Sequence, residues 1–156
     1  MRYCHKERNL DMKKLIALAL CLVLALSLCV PACAEYAAED LIKDLRKLDN
    51  DFDYYEVELE DGVICLYIGM DGVCTEAMIA KEDGDFDDWK EHVTDSIDEL
   101  AESLQEMADG CDGKPMSCVI LVNDQNTENV LYASFGGICI YDYVTGYDIG
   151  EDDDAA

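Results

Sequence analysis

The sequence predicts an α+β fold: an antiparallel sheet of about five strands, a hairpin plus a three-stranded meander, with helices packed on one face. Three observations predict it. Asp61-Gly62 sits between two alternating runs, which is the signature of a tight β-hairpin. Residues 85–109 carry apolar side chains at helical spacing. Gly136-Gly137 separates two further strand-like runs. Hairpins make antiparallel neighbours, and an amphipathic helix must bury its stripe, so the helix belongs on the sheet.

In chain order, residues 1–34 have the form of a secretory signal peptide. Lys13 and Lys14 precede an uncharged run at 15–30, and Pro31-Ala32-Cys33-Ala34 supplies a small-x-small cleavage site. Met12 directly before the two lysines is an alternative start. The apolar run is about 16 residues, short of the roughly 20 that span a bilayer, so no stable membrane insertion is expected after cleavage. Secretion is the predicted outcome, with a lipid anchor on Cys33 or Cys29 as the alternative.

The 122 residues after Ala34 hold 6 basic and 34 acidic side chains, a net charge of −28. Leu, Ile, Val and Phe make up 29 of those 122, above the roughly 20% below which such charge signals disorder. A folded, strongly acidic domain at 35–147 is the consequence. It repels nucleic acid and anionic membranes and attracts cations or basic proteins.

Residues 35–48 form a first helix with Leu41, Ile42, Leu45 and Leu48 on one face, ending at the turn cluster Asp49-Asn50-Asp51. The hairpin about Asp61-Gly62 pairs Glu60 with Val63, Leu59 with Ile64, Val57 with Leu66 and Tyr55 with Ile68. The last three pairs are apolar and share a face. The other face carries Glu56, Glu58 and Glu60 against Val63, Cys65 and Tyr67. Residues 73–81 suit either a short helix or a third strand, and Ala77, Met78, Ala80 and Lys81 favour the helix.

In residues 85–109 the apolar positions are Phe86, Trp89, Val93, Ile97, Leu100, Leu104 and Met107, at steps of three or four. Asp85 is the expected N-cap and Gly110 the expected left-handed stop. Burying seven such side chains yields roughly 10–20 kcal/mol. Ordering about twenty-five residues costs about 1–2 kcal/mol each, so this helix needs a surface to lie on.

Residues 117–122 are apolar on both faces, as a central strand is, and 123–129 form a polar loop. The second hairpin is expected to pair Phe135 with Ile138, Ala133 with Ile140 and Tyr132 with Tyr141. Leu131, Ala133, Phe135, Ile138 and Ile140 go to the core face, and Tyr132, Ser134, Cys139, Tyr141 and Tyr143 to the outer one. Residues 148–156 read as an acidic disordered tail. A short echo between residues 62–67 and 136–141 raises the question of an internal duplication.

Five cysteines follow the leader, Cys65, Cys74, Cys111, Cys118 and Cys139; the odd number leaves at least one thiol unpaired in an oxidising compartment. Their spacings and a single histidine, His92, do not make a tetrahedral zinc site. His92 with a cysteine is a formal nucleophilic pair, but on the helix's polar side it reads as a solvated residue. Asp49, Asp51, Asp53 and Glu60 fall at positions 1, 3, 5 and 12 of a calcium loop, with Tyr54 where the sharp turn wants Gly. Calcium is thus the one cofactor the pattern raises. The amide-rich loop at 123–129 can offer oxygens to a sugar or metal, or close on its own backbone.

The leader, the Trp-containing helix, the run Asn123-Asp124-Gln125-Asn126 before Leu131, and the Gly-hydrophobic-Tyr-Asp ending at 137–142 resemble small exported proteins of Gram-positive anaerobic bacteria. The resemblance implies export and brings no activity, cofactor or site residue. Without a nucleophile-base or paired-carboxylate motif, the sequence predicts a small secreted, non-enzymatic binding domain of unknown ligand. Tyr67, Tyr132, Tyr141 and Tyr143 on the outer sheet face are the expected interface, since tyrosines bury area while keeping a hydroxyl wet. The expected partner is an unknown, basic protein or a second copy. A calcium-dependent module and an exported hydrolase are the alternatives.

Overall fold

The computed structural model describes residues 36–48 and 50–150. The leader at 1–34, with its cleavage site and alternative anchor, lies outside the described residues, as does Asp49. Among the described residues no helix is long and apolar enough to cross a membrane.

Helix α1 (Ala38–Leu45) leads to strands β1 (Tyr54–Glu60) and β2 (Val63–Gly69), and then to α2 (Val73–Asp83). A continuous rod follows: α3 (Phe86–Trp89), a π-helical turn (Lys90–Thr94) and α4 (Asp95–Asp109). Strands β3 (Met116–Val122), β4 (Val130–Phe135), β5 (Ile138–Asp142) and β6 (Tyr147–Asp148) complete the chain. The six strands form one open sheet in sequence order, antiparallel except between β2 and β3. The fold is α+β.

The first hairpin has the register read from its sequence, from Glu60↔Val63 through Tyr55↔Ile68. Asp61 and Gly62 both take positive φ, at 50° and 83°, as the tight primed turn requires. Residues 73–81 are helical, inside α2. The parallel β2–β3 junction departs from the all-antiparallel expectation. No hairpin joins these strands; the chain between them runs through α2 and the long rod, and such a helical crossover returns it to the end where β2 began.

The rod begins where Asp85 caps it, the side chain accepting from the Asp88 amide at 3.3 Å. It is not the single α-helix that its spacing predicts: Lys90–Thr94 make a π turn, which buries Thr94 and leaves Val93 half-buried. Gly110 is not the left-handed stop: its φ is −79°, and the helix ends by tightening, with Cys111 N donating to Ala108 O at 3.0 Å. The left-handed positions come later, at Gly113 and Lys114.

Leu41 and Leu45 from α1, Ile97, Leu100 and Leu104 from α4, and Val57, Ile64, Leu66, Ile68, Val119 and Leu121 from the sheet are sealed together in one core. The helices' buried residues all join this cluster on one sheet face, apart from Cys74 at the start of α2 and Thr94 on the π turn. Polar contacts pin the rod to the sheet: Gln105 Oε1 accepts from Ser117 N at 2.9 Å, and Trp89 Nε1 donates to Asp142 Oδ1 at 3.3 Å. Arg46, just past α1, donates to the Val57 carbonyl and so occupies the open edge of β1.

The second hairpin is where expectation and structure part. Phe135↔Ile138 holds, but a bulge at Ile140 re-pairs Ala133 with Tyr141 and Tyr132 with Asp142. Tyr132 and Tyr141 are therefore not opposite each other. The faces are also inverted from Tyr132 to Cys139, whereas Leu131, at the irregularity between β3 and β4, lies in the core as expected. Register links Val57, Leu66, Val119, Ser134 and Cys139 in one row on the helix side. Ala133, Phe135 and Ile138 consequently face away. Small Ser134 and Cys139 leave room for α4, where the bulkier set would hold the helix off. The echo between residues 62–67 and 136–141 dissolves with this inversion, because Cys65 faces outward and Cys139 inward. At the C-terminal end, Tyr147 and Asp148 pair with β5 and Ile149 N donates to Ile140 O, so the tail predicted from residue 148 is structured through Gly150. Residues 151–156 lie outside the described residues.

Candidate interaction face

Register defines the helix-free face row by row. One row runs Glu60, Val63, Met116; the next runs Glu58, Cys65, Cys118, Phe135, Ile138. A third runs Glu56, Tyr67, Ile120, Ala133, Tyr141, Asp148. Cys65, Cys118 and Ala133 are buried, yet they stand outside the main core cluster. They form a floor of small side chains between larger ones. Around them Tyr67, Ile120, Phe135 and Tyr141 are half-buried, while Met116 is 47% and Ile138 69% exposed. The result is an apolar strip across β2 to β5 with a glutamate at the β1 end of every row and Asp148 at the far end of the third.

The glutamate edge is electrostatically strained. Alternation along β1 puts Glu56, Glu58 and Glu60 on the same side, and the hydrogen bond to Glu60 followed by repulsion from Glu56 raises the Glu58 carboxyl above its ordinary value. Glu60 Oε2 accepts from Tyr67 OH at 3.3 Å and from Cys65 Sγ at 4.0 Å. Burial, then Cys65 and Glu60, pushes the Tyr67 phenol up. Burial with nearby Glu60 and Glu58 raises the Cys65 thiol, and burial pushes the Cys118 thiol up to about 12. Three lysines are engaged elsewhere, Lys43 with Asp40, Lys47 with Asp44 and Lys90 with Asp95, while Arg46 at the β1 edge opposes the rise at Glu58 without outweighing it. Among the described residues no salt bridge reaches Glu56, Glu58 or Glu60.

Of the four tyrosines expected at an interface, Tyr67 and Tyr141 lie on this face. Tyr132 does not. It is 2% exposed on the helix side, and its hydroxyl donates to Asp98 Oδ1 at 2.9 Å, which anchors β4 to α4. Tyr143 lies past the end of β5, packed against the core, with the Lys81 ammonium 3.8 Å from its ring centroid and donating to its carbonyl at 2.8 Å. Phe135, Ile138, Ile120 and Met116 take the places given to those two tyrosines. One sequence signal pointed to them: residues 117–122 are apolar on both sides, so the second face had to be apolar at its centre.

The calcium pattern does not converge. Asp53 precedes β1 and Glu60 ends it, and seven extended residues separate them by about 20 Å. Asp53 Oδ2 instead accepts from Asp71 N at 2.8 Å. Among the described residues no group of three or more His, Cys, Asp or Glu can hold a metal ion. His92 sits on the π turn with Nε2 3.7 Å from Asp88 Oδ1. In the loop at 123–129 the side-chain oxygens serve backbone. Asn123 Oδ1 accepts from Gln125 N at 2.8 Å, and Asp124 accepts from Gly72 N and Cys74 N at 3.0 and 2.9 Å, capping α2 from fifty residues away.

No family model matches the chain, no curated protein matches its sequence, and no solved structure matches its fold. The functional reading therefore rests on the chain's own surface.

Proposed function

We propose that this is a small, exported acidic domain that works by binding, and that it grips a basic protein partner with the helix-free face of its sheet. The observation that carries the reading is the apolar strip from Cys65 to Ile138, uncovered by any described helix and flanked by three glutamates that have no salt-bridge partner among the described residues. Contiguous exposed apolar surface rimmed by polar groups suits an interface. Charge selects the kind of partner. A second copy of the exported domain would bring a net charge of −28 against the same charge, whereas a cationic protein neutralises Glu56, Glu58 and Glu60 and is steered toward them.

A peptide of alternating lysine and leucine is a suitable probe. Its titration should shift the amide resonances of Tyr67, Ile120, Phe135 and Ile138, and Ile138→Asp should weaken its binding about tenfold, the scale of about 1.4 kcal/mol. Shifts spread over the helix carboxylates and unchanged by Ile138→Asp would sink this reading.

A further inference from the structure

The described cysteines are all thiols in this structure. Three are scattered: Cys74 opens α2, Cys111 follows α4, and Cys139 lies on the helix side of β5. The other two are register partners, with Cys65 of β2 directly opposite Cys118 of β3. Partners on adjacent strands share a face, and adjacent strands lie about 4.8 Å apart, inside the Cα separation of about 4.4–6.8 Å that a disulfide spans. Only 6% and 5% of the two residues is exposed. Their sulfurs rest against different acceptors, Glu60 Oε2 and Val119 O, each at 4.0 Å. Bonding would turn each side chain about χ1 toward the other.

Their location gives a cross-link a purpose. Every other adjacent strand pair is joined by a short connection, whereas β2 and β3 are separated by the whole helical crossover. Here alone the sheet is two units, the β1–β2 hairpin and the β3–β6 meander, held side by side by backbone bonds. A bond between Cys65 and Cys118 closes a loop of about fifty residues, and long loops gain most from closure.

We infer that Cys65 and Cys118 form a disulfide that staples the two halves of the sheet, made by exchange with an external disulfide. The Cys65 thiolate attacks one sulfur of that disulfide, giving a mixed disulfide and releasing one thiolate. The Cys118 thiolate then attacks the Cys65 sulfur, forming the internal bond and expelling the second thiolate. The two released thiolates take up the two protons, and two electrons pass to the external disulfide. Burial holds both thiols protonated in the folded protein, so the exchange takes place while β2 and β3 are coming together. This inference is independent of the binding face's occupant.

The test is refolding of the full chain from reduced, denatured protein in a buffer of oxidised and reduced glutathione. Free thiols are then blocked with iodoacetamide and the chain is mapped by mass spectrometry without reduction. The expected product links the Cys65 and Cys118 peptides and leaves the other seven cysteines of the full chain alkylated. It should melt about 10 °C above the reduced form. In Cys118→Ala that difference should vanish, and mapping of the unmodified chain gives the pairing even where the variant folds poorly. Alkylation of both Cys65 and Cys118, a dominant linkage through Cys74, Cys111 or Cys139, or a linked form that melts below the reduced one overturns the pairing.

Discussion

The two faces of the sheet carry similar apolar centres and different fates. On the helix side, the row Tyr55, Ile68, Leu121, Tyr132, Asp142 is sealed by α1 and the rod, and its polar atoms are answered: Tyr132 by Asp98, Tyr55 by the Leu45 carbonyl, Asp142 by Trp89. On the far side, the row Glu56, Tyr67, Ile120, Ala133, Tyr141, Asp148 has an equally apolar middle with carboxylates at both ends and, among the described residues, no helix over it. Apolar composition alone does not make a core. A face becomes core when an element arrives whose own apolar stripe and polar anchors match it.

The largest expected difference lies between two tyrosines. Tyr132→Ser removes a sealed aromatic ring and should cost about 3–5 kcal/mol in denaturant unfolding. Tyr141→Ser, on the open face, should change unfolding by under about 1 kcal/mol and weaken binding of the cationic probe instead. Equal losses from the two variants would erase the distinction between the faces.

Next in size is the anchoring bond itself. Tyr132→Phe keeps the ring and deprives Asp98 of its donor, so a loss of about 1–2 kcal/mol is expected, measured as a shift in denaturant midpoint at unchanged slope. Asp124→Ala removes the long-range cap of α2 and should cost about 1 kcal/mol, with faster amide exchange confined to the first turn of α2 and the loop at 123–129. Exchange unchanged in α2 would show that the cap contributes nothing there.

The smallest effect is electrostatic and has a definite sign. A carboxyl whose folded pKa is raised, as Glu58's is by Glu60 and Glu56, binds its proton more tightly in the folded state. Its contribution is intact below the ordinary glutamate range and is lost as pH rises through the raised value, so at neutral pH the charge at Glu58 opposes folding. Glu58→Gln should raise the melting temperature slightly at pH 7 and leave it unchanged at pH 3. It should also weaken the cationic probe at pH 7, which separates an interface role from simple relief of repulsion.

Legibility in the sequence followed asymmetry. The first hairpin was readable to the residue because one of its faces holds three glutamates, and shifting its register would bury them. The rod was readable because its polar faces are unambiguous, but its spacing reads as one continuous α-helix and does not reveal the π turn. The second hairpin offers apolar residues on both faces. Ala133, Phe135 and Ile138 outweigh Tyr132, Ser134 and Cys139 in hydrophobicity, so a local reading assigns the wrong side to the core, although Leu131 does belong to it.

By itself, the chain determined what depends on neighbours in sequence: the two primed turns, the helix cap at Asp85, the strand and helix periods, and a net charge that favours cationic partners. Only the tertiary structure decided which apolar face meets the helices, that β2 and β3 run parallel, that Asp124 caps α2, and that Cys65 stands beside Cys118. These features depend on contacts between residues tens of positions apart, where side-chain volume and hydrogen-bond partners across the interface choose between patterns that local hydrophobicity leaves nearly equal.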